Sequence, residues 1–164
     1  MVIPASEARD VLHKRLEAVF NKENFAKFSD AQAPKVTLGF PVNEPPFYVA
    51  VDEIIDTANT DGAASMGHAE VSFNLNVWVC ATHKDLKTAA DAVIAYISTI
   101  FAAILADQQL NNTVDNAFPS LRDAGTGADN SKRYVAAATV VIACKVGSVC
   151  PAEIKEVVDA ANRN

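Results

Sequence analysis

Between Glu70 and Cys80 apolar and polar residues alternate. Val71, Phe73, Leu75, Val77 and Val79 fall on one side, and Ser72, Asn74, Asn76 and Trp78 on the other. A period of two predicts a strand with one face against a core. From roughly Lys84 to Ala106 the period changes. Val93, Ile97, Ile100 and Ile104 form one helical stripe, and Ala90, Ile94, Phe101 and Leu105 spread the apolar surface well beyond it. Such a helix is buried on more than one side. A small chain offers it one sheet, so the remaining apolar surface must meet another element or another subunit, and an oligomer is expected. Asp91, Tyr96, Ser98 and Thr99 interrupt the run, which falls short of the ~20 apolar residues of a bilayer span and reads as a core helix.

Weaker patterns flank this pair. Ala8, Leu12, Leu16, Val19 and Phe20 share one face of an amphipathic helix, about Ala5 to Asn21, with Ser6 placed as its N-cap. Phe25 to Pro46 holds four prolines and a glycine, which predicts a long connection with a short extended piece at Val36–Leu38. A strand at Tyr48–Val51 precedes the polar residues 56–69, read as a long loop or hairpin tip. Another strand is expected within Thr113–Leu121, at an edge or at a bulge because of Pro119. Asp123–Asn130 reads as a flexible loop before a central strand, Tyr134–Val146. Residues 147–164 form a C-terminal extension with a short helix after Pro151. The predicted fold is one α+β domain over residues 1–164: a mainly antiparallel four-stranded sheet packed by a long helix and an N-terminal helix, with a short C-terminal helix.

Composition narrows the function classes. Half of the 164 residues are hydrophobic, enough for one domain with a core. Fourteen basic against twenty acidic side chains give a net charge of −6, which argues against broad binding to nucleic acid or an anionic membrane surface. The amino terminus has no basic and apolar leader pattern, so the protein is expected to stay where it is made. Three cysteines, Cys80, Cys144 and Cys150, are an odd number that fits reduced, intracellular assembly.

Reactive constellations are weak. Cys80, His83, Cys144 and Cys150 offer zinc-type ligands, yet the first and third equally fit strand positions as small apolar fillers. Thr57–Gly62 imitates part of a calcium loop but has Thr57 and His68 where that loop needs Asp and Glu. His13, His68 and His83 are scattered outside any catalytic signature, and Thr82 with His83 reads as the start of the long helix. Asp52, Glu53 and Asp56 read as a solvated strand end. No enzyme, cofactor or metal is expected. The telling residues are instead candidates for a subunit or partner interface. Trp78 stands on a polar face, beside Asn74 and Asn76, and is either covered by the terminal helix or an anchor. Ile94 and Phe101 lie on the second face of the long helix, with Asp61, Gly62, Gly125 and Gly127 in the two loops.

Several segments in order carry a family likeness. They are the run Phe73–Val79, the helix Asp85–Leu105, Ala106-Asp107-Gln108-Gln109-Leu110, and, after a short strand and a loop, Arg133–Ile142. With the helix Ser6–Phe20, this order resembles the tail terminator proteins of long non-contractile-tailed bacteriophages. The resemblance rests on element order and patterning over the greater part of the chain. Phe25–Pro46 and the segment after Val146 depart from it. It implies a ring, usually a hexamer, that caps the completed tail tube and joins it to the head. Implied partners are the tail tube protein and a head completion or stopper protein, with genomic DNA passing through the lumen without sequence-specific binding and no membrane involved. The expected location is the virion tail or neck, assembled in the host bacterial cytoplasm. Competing readings are a tube subunit or head–tail stopper, a small metal-dependent enzyme, and a monomeric ligand-binding module.

Overall fold

Alternation carries the first predicted strand well past its apolar core. In the computed structural model, which describes residues 4–65, 68–149 and 152–163, it runs for 16 residues. In chain order the elements are α1 (Ala5–Val19), α2 (Lys22–Phe25), β1 (Lys35–Leu38), β2 (Phe47–Val51), β3 (Ala58–Ser65), β4 (His68–His83), α3 (Leu86–Ala106), β5 (Asn116–Ala128), β6 (Tyr134–Val149) and α4 (Ala152–Ala161). The fold is α+β, with a mixed, mostly antiparallel sheet packed by α3 and α1.

β4 is the spine of the sheet. One edge pairs with β6 over its whole length, from His68 opposite Val149 to His83 opposite Tyr134. Its other edge is shared, with β2 along Val77–Ala81 and β3 along His68–Phe73. Between them the chain bulges outward but stays tied, the Asp52 and Asp56 amides donating to the carbonyls of Asn76 and Asn74. β5 lies outside β6 as an edge strand, and β1 lies outside β2 as the parallel pair. Six strands therefore replace the four expected.

One additional strand, β1, is the short extended piece expected at Val36–Leu38; the other, β3, and the continuation of β5 come from segments read as loops. Residues 58–65 form β3, and β5 continues through 123–128 rather than stopping near Leu121. Neither segment has strand propensity. Each lies beside a long neighbour whose backbone donors and acceptors need partners, and that demand outweighs local preference. Pro119 does sit on an edge strand, as the missing amide requires.

The core lies between the sheet and the helices. Val71, Phe73, Leu75, Val77 and Val79 meet Ala138, Val140, Ile142 and Cys144 of β6 on the face covered by Ala89, Ala92, Val93, Tyr96, Ile100 and Ile104 of α3. Ala8, Leu12 and Leu16 of α1 close it over β2. The helix starts differ from expectation. Ser6 lies inside α1, behind Pro4, and Thr82 belongs to β4, so Asp85 caps α3 by accepting the Thr88 amide at 3.0 Å. At 21 residues α3 is long and apolar enough to cross a bilayer by length and composition, contrary to the reading from its polar interruptions. Its packing on β4, β6 and β5 is that of a core helix.

Gly39 fixes the exit from β1. Its φ of +75° lies in the left-handed region, its amide donates to the Val51 carbonyl at 2.7 Å, and a Cβ there would run into the Glu53 carboxylate. Gly39→Ala is expected to lower stability by about 1–2 kcal/mol. Urea denaturation checks this, and an unchanged midpoint would contradict it.

A second local lock joins the helices. Arg15 donates to the Asp107 carboxylate at 2.6 Å and to the carbonyls of Ala103 and Asp107, holding the end of α3 against α1. Asp107 also accepts the amides of Asn111 and Gln109. The Asn111 amide first, then Arg15 and the Gln109 amide, hold its carboxyl below the usual carboxylate range against the opposing effect of desolvation. A folded pKa below the unfolded one means that the contribution is present at neutral pH. It is lost as pH falls through the folded value. Asp107→Asn is therefore expected to unfold more readily than the parent at pH 7, with the difference shrinking towards pH ~3, below the ordinary carboxylate value. Denaturation midpoints at both pH values measure it.

Candidate assembly surfaces

The strand alternation that builds the core leaves a second sheet face turned away from α1 and α3. Tyr48 and Ala50 of β2, Asn74, Asn76, Trp78 and Cys80 of β4, and Ala137, Thr139 and Val141 of β6 occupy it. Three of the expected interface residues lie there together, but not as a uniformly wet surface. Asn76 is only 4% exposed, and its side-chain oxygen accepts from Arg122 at 2.9 Å while Arg122 also pairs with Asp56 at 3.1 Å. This corrects the expectation that the Asn-rich face needs a partner: Arg122, reaching across from β5, satisfies Asn76 within the chain. Asn74 remains partly exposed beside Ala143.

Trp78 is covered from an unexpected direction. Phe40, from the connection after β1, covers it with ring centroids 5.2 Å apart, so α4 is not its cover. Its indole N–H is buried without an acceptor among the described residues. Beside it runs an open groove of about 460 Å³ whose floor includes Gly125, Gly127, Ala137 and Thr139. Both glycines are exposed, and a Cβ at either would meet no atom within 4 Å. They lie on a strand and not on the expected loop. Asp61 and Gly62 likewise belong to β3, with Asp61 opposite Glu70, and the Asp61 side chain lies outside the described residues.

On the helical side the expectation of a many-sided α3 holds. Past the core stripe, Ile97 and Phe101 are partly buried, whereas Ile94 is 60% and Leu105 59% exposed. The helical period puts Ile94, Phe101 and Leu105 on one stripe well over a third of a turn from the centre of the core face. A third side of α3 carries small residues. Ala95, Ser98, Thr99, Ala102 and Ala106, with Val19 and Phe28 opposite, line a groove of about 470 Å³. Nothing in the alternation of the sequence marked Phe28, Phe40 or Arg122. Their roles depend on segments distant in the chain.

The candidate chemistry is dispersed. Cys80 and Cys144 lie on opposite faces of the sheet, seven positions apart along the β4 register, so one ion cannot join them. Burial raises both thiols, Cys144 to about 12, which keeps them protonated and poor nucleophiles at neutral pH. Cys150 lies outside the described residues, as does the His68 side chain. His83 accepts the Asp85 amide at 3.0 Å in the turn into α3. In the acidic cluster, Asp56 pairs with Arg122, Asp52 accepts the Ile54 amide, and the Glu53 carbonyl accepts from Arg9. Among the described residues no group of three or more His, Cys, Asp or Glu side chains is placed to hold a metal ion. No protein-family model matches this chain, and no curated protein matches its sequence.

Proposed function

We propose that this protein is a structural ring subunit of a long-tailed bacteriophage, of the tail-terminator type. It caps the completed tail tube and meets the head completion proteins on its other side. The observation that carries the reading is the exposure of Ile94 and Leu105, beside Phe101, on a helix whose opposite side is the core. A soluble assembly covers such a stripe with another copy. The stripe has no twin on the sheet side, where the Trp78 groove and the free edge of β5 present different chemistry. Association of one patch with an unlike patch is heterologous, and it closes into rings when the rotation allows. The role is structural and not catalytic: His83 is held in the turn into α3, Asp56 in an ion pair with Arg122, and the Cys80 and Cys144 thiols stay protonated through burial. A net charge of −6 also suits a lumen through which DNA slides without adhering.

Light scattering on the purified protein, with electron microscopy of the same sample, tests this. Closed rings near six copies, alone or once tail tubes are added, are the expected result. A monomer indifferent to concentration and to tubes would overturn it. The six-stranded sheet with its two 16-residue strands favours a second reading, a tube subunit, which would instead stack into open-ended tubes.

A further inference from the structure

Two unpartnered features of this chain fit one another. The first is α4. Its apolar residues Ile154, Val157, Val158 and Ala161 fall at helical spacing on one side, and the first three are 45%, 69% and 50% exposed. No residue of α4 is buried. A ten-residue helix is too short to be stable in water alone, since packing of an apolar face normally supplies what propensity cannot. The second is the small-residue groove of α3, walled by Val19 and Phe28, with Ala95, Thr99, Ala102 and Ala106 along its floor.

We propose that α4 of one copy lies in this groove of a second copy. The groove extends about 16 Å along α3 and the α4 stripe about 10 Å, at the helical rise per residue. Alanines on the floor let a second helix axis come close, and the Val and Ile side chains of α4 fill the space they leave. Charge agrees as well. Residues 14–28 beside the groove carry Lys14, Arg15, Lys22 and Lys27 against Glu17 and Glu23, and with the Asp107 carboxylate that pairs with Arg15 the side is a formal +1. α4 carries Glu153, Glu156 and Asp159 against Lys155, a formal −2. The Trp78 groove is bordered instead by Asp123, which would repel the same helix.

A second copy is a better source of the helix than the chain itself. β5 begins opposite Lys145, and β6 continues through residues 146–149, about 13 Å further. α4 therefore starts at the far end of the sheet, where β3, β4 and β6 reach past β5, and none of its residues is buried against its own chain. This contact is a second joint between copies, separate from the Ile94 and Leu105 stripe, and rests on the ring reading only for the number of copies.

Two singly substituted chains, Ala102→Cys and Val157→Cys, each with Cys80→Ala and Cys150→Ser, are mixed and treated with a short bis-maleimide. Covalent pairs containing one chain of each kind are expected. Cross-linking only within a doubly substituted chain would assign α4 to its own groove and overturn the proposal, as would no cross-linking in either experiment. Removal of residues 152–164 is expected to abolish assembly seen by light scattering. A ring that persists without them would overturn this contact and leave the ring reading standing. Mixed cross-links in particles that never exceed two copies would keep the contact and sink the ring.

Discussion

Tyr96→Ala is expected to lower stability by about 3–5 kcal/mol, the range for removing a large aromatic side chain from a core. Tyr96 is fully buried in α3. Its ring meets Phe20 edge-on at 5.7 Å and Phe25 at 5.9 Å, and its hydroxyl donates to the Gln32 carbonyl. One side chain thus ties the long helix to the end of α1, to α2 and to the connection that leads into β1. Truncation leaves a cavity in that junction and strands the Gln32 acceptor. Against a total stability of 5–15 kcal/mol this is a large fraction. The melting temperature should fall by roughly 10 °C for a chain of this size. Tyr96→Phe separates the parts, since it keeps the ring contacts and removes only the hydroxyl, at about 1 kcal/mol. A loss below about 1 kcal/mol for the alanine variant would mean that α1 and α3 are held together elsewhere.

Replacing Ile94 and Leu105 together with aspartate is expected to abolish assembly and leave the fold intact. Both side chains are more than half exposed in the single chain, so folding loses little apolar burial. In an assembly they would be desolvated, and each new carboxylate would be buried without a partner. A loss of 2 kcal/mol or more at each contact weakens it by more than tenfold, and a closed ring repeats the contact at every subunit. The expected reading is a monomeric mass by light scattering with an unchanged thermal transition. Retention of the parent's assembly would remove the observation on which the ring proposal stands. A collapse of the thermal transition would show instead that the stripe belongs to the core of the single chain.

Tyr96 also shows where reading the sequence fell short. By pattern it is one of the polar interruptions of the apolar run, because a hydroxyl lowers hydropathy whatever lies around it. Its burial depends on one backbone acceptor at Gln32, far away in the chain, and the local pattern contains no trace of that acceptor. Arg122 and Asn76 follow the same logic. An asparagine on a strand face predicts water or a partner subunit, until an arginine from a neighbouring edge strand arrives to satisfy it. Trp78 was legible as an anomaly on its face, but its cover, Phe40, was not, since it comes from a connection without periodicity. Among the candidate surfaces, the second apolar side of α3 was readable from spacing alone. The small-residue groove on its third side was not, because alanine fits equally well in a core, on a surface and under another helix.

The physical reason divides the fold in the same way. Period-two alternation across β4 and the apolar breadth of α3 are properties of each segment, and burial of those faces follows from hydrophobicity wherever the segments meet. Sequence alone therefore determined the α+β class, the two long strands and the covering helix, and put Pro119 at an edge or a bulge. Only the tertiary structure decided that Ala58–Ser65 and Asp123–Ala128 are strands, that β1 runs parallel to β2, and which polar residues are satisfied within the chain. Those outcomes depend on backbone hydrogen bonds and contacts between distant segments, and a neighbour's unpaired edge can outweigh the weak preference of a polar, glycine-containing segment for a loop.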